Sequence, residues 1–117
     1  MAKEGSYEMK VNQGSKTIDM TVSGTFTPEK AQEFVADYKL TVAGVKANEY
    51  TLKFDCRELD VVTQEMVPNL EFCMNLYQES GFEKVEVGIK KSAIIKMQLN
   101  RIARNVGLTN FEVAEIY

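Results

Sequence analysis

Histidine is absent from the 117 residues, cysteine and proline occur twice each, and no long apolar run interrupts the chain. Without histidine the sequence lacks both the commonest general base and the commonest metal ligand. The two cysteines, Cys56 and Cys73, lie within apolar patterns and at neither a disulfide-framework nor a zinc spacing. They read as reduced core thiols of a cytoplasmic protein, with a disulfide or a reactive thiol as the alternative. No stretch approaches the roughly 20 apolar residues of a membrane span. Residues 1–14 are polar and charged, without the apolar h-region of a secretory signal. Neither G-x-G-x-x-G nor G-x-x-x-x-G-K occurs, so no phosphate-cradling loop is expected. The net charge is −3, from 14 basic and 17 acidic residues, which disfavours a nucleic-acid partner. These absences point away from an enzyme, a metal site and a cofactor.

What is present suits one globular domain. Hydrophobic residues make up 44% and charged residues 26%, enough for one core at this length. Residues 1–6 read as a flexible tail and 7–117 as a single domain. Residues 7–12 and 17–23 alternate apolar and polar around the turn Asn12-Gln13-Gly14-Ser15, the pattern of a β-hairpin. Thr27 then suits an N-cap with Pro28 at the first helical position, and Ala31, Phe34, Val35, Tyr38 and Val42 share one helical face up to Gly44. Residues 50–56 form the next strand, with Tyr50, Leu52, Phe54 and Cys56 on one face and a charged turn, Arg57-Glu58-Leu59-Asp60, after it. Thr63 can cap a second helix whose stripe is Met66, Leu70, Cys73, Met74 and Tyr77, widened by Phe72 and Leu76 and ended by Gly81. Pro68 predicts a bent or 3₁₀ first turn, with the regular helix starting near that residue. Residues 84–89 are a short strand. Ser92 caps a third helix with Ile95, Leu99, Ile102, Ala103 and Val106 on one face, closed by Gly107, and 110–116 is the last strand. The order ββαβαβαβ predicts an α/β fold: a mostly parallel, mixed sheet with one antiparallel strand at its start and helices covering it.

This order, the run Leu52-Lys53-Phe54-Asp55 before a helix, and the segment from Ile94-Ile95 to Asn105-Val106-Gly107-Leu108 resemble the STAS domain, over roughly residues 8–116. That family includes the bacterial anti-anti-sigma factors and stressosome subunits. The resemblance implies a non-catalytic regulator that binds other proteins. It also implies a motif Asp-Ser-Ser/Thr-Gly at the start of the second helix, whose first serine a kinase phosphorylates. Counted from Asp55, that motif falls on Thr63-Gln64-Glu65-Met66; Gln64 holds the serine position and carries no hydroxyl, and Met66 replaces the glycine. The usual phospho-switch is therefore not expected. Thr63, the one hydroxyl nearby, is either a plain N-cap or a displaced acceptor at a helix end that welcomes negative charge.

Two other constellations stand out. Asp55, Glu58 and Asp60 gather at the carboxyl end of the third strand, where open α/β sheets often bind ligands, and they read as a solvated turn with Arg57 or as a cation site. Charge is also polarised along the chain. Residues 90–108 carry five bases and no acid, whereas 55–83 carry seven acids and one base. The acidic second helix and the basic third either attract each other or orient a protein partner or another copy of the chain. The predicted partner surface is therefore Thr63, Gln64 and Glu65 with Lys96, Arg101 and Arg104 on the exposed face of the third helix. Methionines 66, 74 and 97 fall at or near core positions. The alternatives to an interaction domain are a structural or assembly subunit, phage-like or oligomeric, and a small-ligand or lipid-binding module at the sheet's carboxyl edge.

Overall fold

The computed structural model describes residues 5–60, 62–90 and 92–115. Five strands form one sheet: β1 (Ser6–Asn12), β2 (Thr17–Gly24), β3 (Thr51–Leu59), β4 (Lys84–Ile89) and β5 (Phe111–Glu115). Three helices alternate with the last four: α1 (Pro28–Ala43), α2 (Val67–Ser80) and α3 (Ala93–Val106). The strands lie in sequence order; β1 and β2 pair antiparallel and the rest parallel. The predicted α/β class and ββαβαβαβ order are both observed.

Sequential order has a consequence for the layers. Three right-handed crossovers stepping the same way along a sheet put every helix on the same face. The side chains follow. Ile18, Met20, Leu52, Phe54, Val85, Val87 and Val113 point to the helices and are buried. Their alternate neighbours Thr21, Lys53 and Glu112 are exposed, and Asp19, Asp55 and Glu86 half-buried. The helices thus cover one face, and the other is an open, charged surface.

That open face manages its own charges. The register sets Lys53 opposite Glu86 and Glu86 opposite Glu112. Like charges directly opposite destabilise a sheet. Here Lys84 Nζ reaches Glu86 at 3.2 Å and Glu112 at 2.7 Å, so one ammonium bridges both and offsets their repulsion. Its hydrogen bonds hold the Glu112 carboxyl below, and the Lys84 ammonium above, their usual ranges.

Three boundaries differ from the sequence reading. Strand β3 continues to Leu59, through residues expected as a turn. A bulge sets Thr21 to Ser23 of β2 against Asp55 to Glu58 of β3, and the extra residue lets pairing resume as far as Gly24–Leu59. Gly5 and Ser6, assigned to a tail, belong to the fold: Ser6 opens β1, and Gly5 is buried so closely on Phe26 that a Cβ there would lie 2.8 Å from the ring. Residues 1–4 of that tail lie outside the described residues. Finally, the helical face of α2 is narrower than expected, and Phe72 is 52% exposed.

The caps explain where helices begin. Thr27 Oγ1 accepts from the Lys30 amide, and Ser92 Oγ from the Ile95 amide. Helix α2 enters differently, through a 3₁₀ turn at Gln64–Met66, with Pro68 in the first turn of the regular helix. This is the bent start Pro68 predicts. Thr63 makes no side-chain cap bond, so the cap expected there is not formed. We therefore expect Thr63→Ala to change stability by less than about 0.5 kcal/mol, and Ser92→Ala to cost about 1 kcal/mol. Urea denaturation of the two variants checks the contrast.

Candidate functional site

Two features adjoin at the carboxyl end of the parallel strands: the α2–α3 surface and an apolar cavity beneath α2. The segment leading into α2 ties them together. Gln98, half-buried on α3, donates from Nε2 to the Val62 carbonyl at 2.9 Å and accepts at Oε1 from the Val62 amide at 3.1 Å. One side-chain amide so completes both backbone groups of Val62, as a neighbouring strand would. This clamp fixes Val62, the residue before Thr63, against α3. The sequence reading missed Gln98; its one signal was a long polar residue bordering the apolar stripe of Ile95, Leu99 and Ile102.

Helices α2 and α3 pack side by side, and Gln78 Nε2 donates to the Gly107 carbonyl at 3.1 Å at their far ends. Gly107 takes φ 79°, the left-handed conformation that glycine closes a helix with most easily. Yet the opposite charges of the two helices do not meet. Among the described residues no ion pair joins Lys96, Arg101 or Arg104 to any acid, nor Glu65, Glu71 or Glu79 to any base. All three cations are exposed.

They do not form a single face, however. Arg101 and Arg104 continue a stripe that begins with Ile94 and Met97, at spacings of three and four. Lys96 lies roughly 140° round the helix from Arg101 at 100° per residue. The predicted trio therefore divides, and Lys96 belongs to another side of α3. Met97, expected near the core, is 61% exposed, and Ile94 is 56% exposed. Phe72 on α2 is exposed as well, so the two helices together hold three large apolar side chains in water.

The three strand-end carboxylates are each occupied separately. Asp55 accepts two bonds from the Arg57 guanidinium, at 3.0 and 2.8 Å, and one from its amide. Those bonds hold its carboxyl below the usual 3.8. Glu58 pairs with Lys90 at 3.1 Å, and Asp60 accepts from the Thr25 hydroxyl. Because folding lowers the Asp55 pKa, its contribution is present above the unfolded value and is lost as pH falls through the folded one. Asp55→Asn is expected to cost no more than about 1 kcal/mol at neutral pH, the range for an exposed pair. Wild type and variant should converge in stability as the pH falls below the folded value, measured by thermal unfolding across pH.

The cavity encloses about 110 Å³. Its roof is α2, through Leu70, Cys73, Met74 and Tyr77; its floor includes Phe54 and Cys56 of β3. Its walls are almost wholly apolar, and Asp60, Thr63 and Asn69 supply polar atoms. Both cysteines line it as free thiols. Burial pushes Cys56 up to about 12 and Cys73 to about 11, so neither is a thiolate at neutral pH.

Compared with protein-family models, curated proteins and solved structures, the chain matches none. Among the described residues no helix is long and apolar enough to cross a membrane.

Proposed function

We propose that this chain is a non-catalytic protein–protein interaction domain, similar in kind to the anti-anti-sigma factors its sequence resembles but working without a phosphorylated serine. One observation carries the reading. On α3, exposed Ile94 and Met97 share one stripe with Arg101 and Arg104; exposed Phe72 stands on α2; and among the described residues neither these cations nor Glu65, Glu71 and Glu79 form an ion pair. Apolar side chains beside unused charge suit docking by shape and charge, with no bond chemistry.

The occupant is a second copy. The basic stripe of α3 needs an acidic helical surface, and the chain's own residues 64–80 offer one through Glu65 of the 3₁₀ turn and Glu71 and Glu79 of α2. A two-fold axis along this surface would set α3 of each copy on α2 of the other, using both charge sets twice. Light scattering after size exclusion, over a range of concentrations and salt, tests the reading. A dimer that weakens with salt supports it, and a large closed oligomer favours an assembly subunit instead. A monomer at every concentration overturns self-docking.

A further inference from the structure

We propose that the cavity beneath α2 is a binding site for a small uncharged molecule with an apolar body, a short alkyl chain, carrying a hydroxyl or amide head. Three observations converge on that class. The first is size and lining. An apolar cavity of about 150 Å³ stays free of water and admits benzene, so a space of about 110 Å³ opening at a rim takes a slightly smaller body or part of a longer one. Phe34, Phe54, Leu70, Met74 and Tyr77 offer a bound hydrocarbon carbon and sulfur, whereas a water there would find almost no polar partner.

The second is the rim. The Thr63 hydroxyl and the Asn69 amide line the cavity and make no hydrogen bond among the described residues. Thr63 is exposed and Asn69 half-buried, so both can turn to a head group at the mouth. The third is charge. Among the described residues Asp60 is the only charged one in the walls, and no lysine or arginine lines them. A carboxylate or phosphate head would meet this acid without a cation to offset it, which selects against fatty acids and nucleotides.

Methionine methyl groups report on the site directly. Met66 and Met74 line the cavity, whereas Met97 stands exposed on α3. With ¹³C-methyl-methionine protein at neutral pH, 1-hexanol should shift the Met66 and Met74 signals saturably and leave Met97 in place. Hexanoate should bind at least about tenfold more weakly, and Asp60→Asn should narrow that gap. Leu70→Phe, which fills the space from the roof, should abolish the shifts. The comparison of hexanol with hexanoate needs only the wild-type chain, so misfolding of a variant does not weaken it. Unsaturable shifts up to the solubility limit, or hexanoate binding as tightly as hexanol, would overturn the proposal.

Discussion

Replacing Arg101 and Arg104 together by glutamate is expected to weaken self-association by about tenfold to a hundredfold while the domain stays folded. Each reversal moves the charge by two units, so the pair takes the formal net from −3 to −7. Both side chains are exposed, and among the described residues neither makes an ion pair or a hydrogen bond. What changes is the field that α3 presents to the acidic helix of another copy. Rim charges act chiefly on encounter and on discrimination among partners, and their effect shrinks as the Debye length falls from about 10 Å at 0.1 M salt to 3 Å at 1 M. The variant and wild type should therefore differ most at low ionic strength. Arg104 also lies in the last turn of α3, where a cation favours the helix end, so its reversal carries a small stability cost of about 0.3–1 kcal/mol. Arg101→Glu alone avoids that cost and separates docking from folding. A second pair of changes, Glu71→Arg with Glu79→Lys, should restore association to the doubly reversed chain, because the two charge sets then simply trade places. Sedimentation or light scattering that finds no loss in the first variant, or no recovery in the second, would sink the surface.

Most of the fold was legible in the sequence because its signals are local. Period-two alternation located four of the five strands to within about two residues, and Thr27, Ser92, Gly44, Gly81 and Gly107 punctuated the helices as their backbone chemistry demands. The errors fall where a residue's state depends on something remote in sequence. Strand β3 runs past Cys56 because a bulge realigns it with β2, which a one-strand pattern does not contain. Phe72 and Met97 lie on helices with strong apolar stripes, but neither faces the sheet; a residue's helical angle, and not its hydrophobicity, decided its burial. Of the predicted surface residues, Thr63, Gln64 and Glu65 are all exposed, and they follow Val62, which Gln98 of α3 binds through both its backbone groups. Lys96 was grouped with Arg101 from its charge alone, and the helical period separates them. The cavity had no sequence signature at all, since its walls are drawn from all three helices and from four strands.

Truncating Tyr38 to alanine is expected to cost about 3–5 kcal/mol, the range for removing a buried aromatic ring. Tyr38 is 2% exposed and packs against Phe34, Tyr77 and Phe82, with ring centroids 6.4, 5.3 and 6.4 Å away. It joins α1 to α2 and to Phe82, two residues beyond the end of α2. Its hydroxyl is also placed. Ser80 Oγ donates to the Leu76 carbonyl at 2.8 Å, which leaves Ser80 free to accept from the Tyr38 hydroxyl at 2.7 Å. Burial pushes the phenol up to about 12, so it remains a neutral donor throughout the physiological range. Tyr38→Phe keeps the ring and loses only the hydroxyl's bonds, to Ser80 and a longer one to the Leu76 carbonyl at 3.4 Å, for a cost of about 0.5–1.5 kcal/mol. The gap between the two variants measures packing apart from hydrogen bonding. In a domain of this size the alanine variant should melt roughly 10–25 °C lower. Relaxation can reduce that figure, because Phe34 and Tyr77 also border the cavity and can move toward the vacated space. If they do, the cavity changes shape and the wild-type preference for hexanol over hexanoate should fall with stability. A loss below about 1 kcal/mol in urea denaturation would mean that Tyr38 fills space without joining the helices.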